Sequence, residues 1–184
     1  MKLNLSTKEI TLVGMCAALM AIFSQLSIPL PFTSVPITLQ IFGIVILSVI
    51  VGAKIGTISI IVYELIGAIG LPVFANFHGG YNVFLGPTGG YLIGFIIMAF
   101  LIGYASSKQN KILLFVAAYI GVTADLLIGT LYLKIVAGMN MQSALIAGLY
   151  PFIIKDFITI AIAVLIGLKV KKSVENILIK NVVA

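Results

Sequence analysis

The chain has no arginine and no tryptophan, and its 184 residues include one cysteine, one histidine and five acidic residues. Each shortage excludes something. A lone cysteine, Cys16, forms no disulfide framework; inside an apolar run it reads as a small packed hydrophobe. The lone histidine, His78, has no second histidine, cysteine or clustered carboxylate in its loop, so no metal site is expected. No GxSxG serine elbow exists to pair with it, and it reads as a solvated loop residue. Charged residues make up 9% of the chain and apolar residues 61%. That balance cannot cover a soluble core. The lysines that set the net charge at +6 form no basic face interleaved with aromatics, which argues against a nucleic-acid-binding module.

What is present is a succession of apolar runs, and a membrane crossing needs roughly 17–25 such residues. The expectation is an all-α integral membrane protein forming a single transmembrane substrate-binding domain over 1–184. Six transmembrane helices are expected, at about 9–28, 39–51, 55–70, 88–104, 112–136 and 143–168. The first run follows Lys2 and Lys8 like a secretion signal, but no small-residue cleavage site follows. The second is short, so it is tilted or starts below the surface where the proline-rich stretch 29–38 dips inward. Gly52-Ala53-Lys54 reads as a tight turn. With six crossings, Lys2, Lys8, Lys54, Lys108, Lys111, Lys169, Lys171, Lys172 and Lys180 fall on one side, whereas 29–38 and 71–87 carry no lysine. Lysine excess marks the cytoplasmic side. Both termini are therefore expected to be cytoplasmic and both lysine-free loops external.

The stretch Leu71 to Gly94, LPVFANFHGGYNVFLGPTGGYLIG, organises the rest. It has too much glycine and proline to continue a helix and too many apolar residues to be a solvated linker. Irregular backbone at membrane depth persists only against protein or a water-filled cavity. It is expected to be an external ligand-capping loop between helices 3 and 4. Its GPTGG segment lacks the lysine and hydroxyl residue of a phosphate loop, so this chain is not expected to bind ATP.

Five charges lie in or near the spans: Glu64, Asp125, Lys134, Lys155 and Asp156. Each costs about 2.5–3.5 kcal/mol at a helix centre on insertion scales, so each should face protein or water. Lys134 can snorkel to the interface, and Glu64 and Asp125 read as structural or assembly charges with their roles open. Lys155 and Asp156 differ, because they sit at the depth of the external loops. Adjacent helix positions diverge by about 100°, so the two need not neutralise each other. Such a donor and acceptor suit a ligand with polar N–H groups at one end and a carboxylate at the other.

Together PFTSVPITLQ (31–40), LPVFA (71–75), GPTGGYLIGF (86–95) and YPFIIKD (150–156) resemble the biotin-specific S component, the BioY family, of energy-coupling-factor (ECF) transporters. The resemblance implies a bacterial cell-membrane protein that binds biotin from outside. It also implies partnership with an ECF transmembrane coupling protein and two cytoplasmic ATPases, with docking through an AxxxA motif at Ala17 and Ala21. No cofactor or enzymatic activity is implied; ATP hydrolysis belongs to the partners. The family's acidic residue maps to Asp156, which would accept from the ureido ring. This sequence has Lys155 and Thr159 where the family usually has glycine and lysine, which leaves the carboxylate partner open. Asn82 is an added candidate for the ureido group. Phe74, Tyr91, Tyr150 and Phe152 are candidate walls, and Gln40, Asn82, Lys155 and Asp156 candidate polar contacts. The alternatives are an S component for another small vitamin, or a ligand-free structural membrane subunit. An intramembrane enzyme would need a nucleophile with a base, or a metal cluster, within the spans, and neither is visible.

Overall fold

A computed structural model describes residues 5–183, with side chains described for 5–174. Lys2 and the side chain of Lys180, two of the lysines used for orientation, lie outside the described residues. Helix α1 (Thr7–Gln25) starts at a capping box in which the Ser6 side chain accepts from the Glu9 amide and Glu9 accepts from the Ser6 amide, satisfying two otherwise orphaned donors. It stops before the expected residue 28, because the chain then forms an antiparallel hairpin of β1 (Ser27–Leu30) and β2 (Thr33–Thr38), with Ser27 opposite Thr38. No strand was expected here. The reason is local: Pro29, Pro31 and Pro36 force extended backbone at the residues before them. A two-strand sheet consists of edges only, where proline is tolerated.

Helix α2 (Gln40–Ala68) contains both the second and third expected spans, broken at Gly52 with φ 77° and ψ −179°. Gln40 Nε2 donates to the Tyr63 hydroxyl at 3.0 Å, although 23 residues of straight helix would hold them about 35 Å apart. The two arms therefore run back on each other. Only glycine adopts this backbone readily, and another residue costs about 1–3 kcal/mol of strain. A Cβ at 52 would meet nothing within 4 Å, so Gly52→Val is expected to act through backbone strain alone. A thermal-melting midpoint in detergent lowered by several degrees, with unchanged ligand stoichiometry, would bear this out; an unchanged midpoint would contradict it.

A 3₁₀ turn (Ala75–Phe77), a single-turn helix α3 (Asn82–Leu85) and α4 (Gly89–Ser107) follow, then α5 (Lys111–Val136), α6 (Met141–Gly148) and α7 (Tyr150–Val183). The expected span 143–168 is thus split between α6 and α7, which meet at Leu149. Pro151 lies in the first turn of α7, where its missing N–H loses no bond. Among the described residues, five helical stretches are long and apolar enough to cross a membrane. Helix α4 packs between α2 and α5, α1 and α7 lie against α2, and α7 also reaches α5. Met20, Ile44, Met98, Ile102, Val122 and Ile160 fill the interior, while Ile10, Ile22, Ile97, Phe100, Ile120 and Ile162 stay exposed. Apolar residues on both faces are what a lipid-embedded bundle requires, since lipid tails are as apolar as the core.

One end of the bundle carries lysine bonds. Lys54 pairs with Glu9 at 2.8 Å. Lys171 donates to the Ser106 carbonyl and hydroxyl at 3.2 and 3.0 Å, and Ser106 donates to the Val49 carbonyl at 2.7 Å. The buried stripe of α1 is Val13, Cys16, Ala17, Met20 and Ser24. Ala17 is only 3% exposed and Ala21 packs against the same core. The alanines of the expected AxxxA docking pair are thus turned into the bundle, Ala17 fully and Ala21 in part. The small residues that α1 turns outward are Gly14 and Ala18.

Candidate functional site

At the end of the bundle away from the lysine bonds lies a cavity of about 390 Å³, within the usual range for small-molecule sites. Its rim and roof come from β2, the loop 74–79 and the GPT segment 86–88. Its walls come from Gln40 and Ile41 of α2, Tyr91, Leu92 and Phe95 of α4, Asp125 and Leu126 of α5, and Phe152, Lys155 and Asp156 of α7. Of the residues expected from sequence, Asp156, Lys155, Asn82, Gln40, Tyr91 and Phe74 line the cavity.

Tyr150 does not. It is 56% exposed and absent from the lining. On a helix, positions 152, 155 and 156 fall within about 100° of one another, whereas 150 lies about 160° from 152. The helix period that puts Phe152, Lys155 and Asp156 on the cavity turns Tyr150 to the opposite side.

Asp156 is 1% exposed. Lys155 Nζ lies 2.5 Å from Asp156 Oδ1 and also donates to the Thr38 carbonyl at 3.2 Å. The two neighbours thus form an ion pair despite their angular separation, because the four-carbon lysine stem bends back. The ammonium also ties α7 to the end of β2. Gln40 is engaged at both ends of its amide: Oε1 accepts from the Thr38 hydroxyl at 3.0 Å and Nε2 donates to Tyr63. The Tyr91 hydroxyl donates to the Gly148 carbonyl at 2.7 Å, so Tyr91 offers the cavity its ring. That ring stands 6.5 Å from Phe152. Phe74 sits edge-on to Tyr63 and Phe84, at 5.5 and 5.8 Å. His78 is exposed, as expected for a loop residue, but it lies on the cavity rim. Among the described residues no group of His, Cys, Asp and Glu could hold a metal ion.

The sequence reading missed two features. The first is Asp125, which lines the cavity from α5 and is 1% exposed; its signal was a lone carboxylate in an apolar run. The second is a clasp from the end of α1 to the loop. Gln25 Nε2 donates to the Phe74 carbonyl at 3.0 Å, and its Oε1 accepts from the Phe77 amide at 2.9 Å. Ser24 donates to the Val73 carbonyl, and Ser27 bonds the Asn76 side chain at 2.9 Å. One glutamine side chain therefore fixes both edges of the turn that roofs the cavity. Each such bond contributes about 0.5–1.5 kcal/mol net. Gln25→Ala is expected to speed ligand release about 10-fold with little change in association rate, measured by chase of labelled ligand; an unchanged release rate would mean that the loop closes without the clasp.

The comparisons with known proteins agree with this architecture. The BioY family model matches residues 1–176. The chain is 39% identical over 170 residues to the "Biotin transporter BioY" of Thermotoga maritima, covering 90% of this chain and 96% of that protein. It is 37% identical over 163 residues to the "Probable biotin transporter BioY" of Pyrococcus horikoshii, covering 89% and 96%. A crystal structure of "the S-component for biotin from an ECF-type ABC transporter" superposes with a TM-score of 0.82 at 33% identity, over 94% of this chain and 95% of that one. The chain therefore belongs to the BioY family, and it is a multi-pass membrane transport subunit and not an enzyme.

Proposed function

We propose that this chain captures biotin from the outer side of the membrane and delivers it to an ATP-driven ECF module. The observation that carries the reading is the cavity itself: apolar walls with a buried carboxylate, an ammonium and a loop amide (Asp156, Lys155 and Asn82) at its edges. Biotin presents a ureido ring, with two N–H donors and one carbonyl, and a carboxylate at the end of an aliphatic chain. Asp156 accepts from a ureido N–H, and Asn82 approaches the same ring from the capping loop. Lys155 leaves both Asp156 and the Thr38 carbonyl, its flexible stem swinging the ammonium toward the ligand carboxylate while the ring N–H takes its place on Asp156. Tyr91, Phe74 and Phe152 enclose the apolar middle of the molecule. Gln40, already bonded at both ends, shapes the cavity from behind more than it reads the ligand.

The topology that fits has six crossings, with the two arms of α2 counted separately and both termini cytoplasmic. The lysine-rich end of the bundle, opposite the cavity, supports it. The module comprises a transmembrane coupling protein and two cytoplasmic ATPases. Docking through α1 uses its outward face, where Gly14 and Ala18 permit close helix approach.

Uptake of labelled biotin by cells without their own uptake system, supplied with this chain and an ECF module, tests the reading. Saturable uptake that disappears when the ATPases are inactivated is expected. Membrane-inserted protein that neither binds biotin nor supports uptake would overturn it.

A further inference from the structure

Asp125 stands out among the charges not assigned to the ligand. It lies on α5, lines the cavity and is 1% exposed, yet its Oδ1 has no hydrogen-bond partner among the described residues. A buried polar atom left unpaired costs about 1–3 kcal/mol, and more when it is charged. Such an atom on a cavity wall is what a site holds ready for a ligand donor. Its position depends on α4. A Cβ at residue 94 would overlap Asp125 Oδ1 and stand 2.7 Å from the Asp125 Cα, so the glycine of GPTGGYLIG lets α5 bring its carboxylate against α4, beside the cavity.

Donors and acceptors can then be matched. Asp156 already takes the Lys155 ammonium at 2.5 Å. The amide of Gln40 is engaged at both ends, and the Tyr91 hydroxyl is bonded to Gly148. Neither Asp156 Oδ1 nor Asp125 Oδ1 has a conventional hydrogen bond among the described residues, but Asp156 has the lysine, whereas Asp125 Oδ1 has neither a hydrogen bond nor an ion pair. We infer that Asp125 reads the ligand: it accepts one of the two ring N–H groups while Asp156 accepts the other. A ring with N–H groups on both sides of its carbonyl needs acceptors on two walls, and α5 and α7 supply them. This rests on the proposed biotin function. It adds a specificity rule to it: a ring carrying only one N–H is rejected.

The test uses purified full-length protein in detergent, biotin, and two biotin analogues, each methylated on a different ring nitrogen. Affinities are measured by calorimetry for the wild type, Asp125→Ala, Asp125→Asn and Glu64→Gln. Glu64 is likewise buried with an unpaired oxygen, but it lies outside the cavity lining, so it controls for loss of a buried carboxylate. Wild-type protein is expected to bind both analogues at least about 10-fold more weakly than biotin. In Asp125→Ala, biotin weakens about 10-fold, and the penalty for one analogue, and only one, falls below about 3-fold because the methyl enters the vacated space. Glu64→Gln leaves both penalties in place. If Asp125→Ala does not fold, Asp125→Asn decides through charge instead of space: biotin loses a charged acceptor, so its advantage over one analogue, and only one, shrinks by at least about 3-fold. Biotin binding with both penalties intact in the Asp125 variants would overturn the inference and leave the function standing. No biotin binding by folded wild-type protein would remove both.

Discussion

Asp156→Asn is expected to lower biotin affinity by about 100-fold or more while leaving the fold intact. Asparagine has the same shape, and Asp156 lies in the interior of α7, where neither residue caps a helix end. What changes is charge. The carboxylate now holds the Lys155 ammonium at 2.5 Å and, in the proposed complex, accepts from the ureido ring. Removing one partner of a buried, hydrogen-bonded charge pair costs about 2–5 kcal/mol, much of it from the charge left behind. About 2.7 kcal/mol is 100-fold in affinity. Calorimetry on the variant beside the wild type reads this directly. Unchanged affinity would take Asp156 out of the site; a variant that no longer yields monodisperse protein would instead make it a structural charge.

Lys155→Met should separate the two ends of the ligand. Methionine keeps a flexible, unbranched side chain and removes the ammonium, and with it the proposed partner of the carboxylate. The wild type is expected to prefer biotin over its methyl ester by about 100-fold, in line with the 2–5 kcal/mol measured when a buried charge pair is broken. In Lys155→Met that preference should shrink to within about 3-fold, chiefly through loss of biotin affinity. The comparison cancels general damage to the cavity, because both ligands share the ureido ring. Undiminished preference in the variant would place the carboxylate against another group and confine Lys155 to its bonds with Asp156 and Thr38.

The sequence made the membrane character and the broad position of the site legible, since apolar runs and intramembrane charges follow from composition and the 3.6-residue period. Lys155 and Asp156 are legible as charges in an apolar span, and Phe152 and Tyr150 as aromatics in the same YPFIIKD stretch; a linear stretch does not say which of its residues share a helix face, so Phe152 lines the cavity and Tyr150 does not. The hairpin at 27–38 was hidden because three prolines signal a helix break without saying what the freed backbone does next. The direction of Ala17 and Ala21 was equally illegible. In lipid both faces of α1 are apolar, and small residues at four-residue spacing fit an internal contact as well as an external one. Asp125 and Gln25 were undervalued for a related reason. Their partners are 31 and 49–52 residues distant, at Gly94 and the capping turn, and only tertiary packing brings them together.

The most direct test of the central claim is a calorimetric titration of the purified chain alone with biotin, without ATP or partner proteins. Calorimetry suits a protein with no tryptophan. Saturable one-to-one binding is predicted, with a negative heat-capacity change from enclosing the apolar middle of the ligand. A folded, monodisperse preparation that shows no saturable heat with biotin would contradict the account.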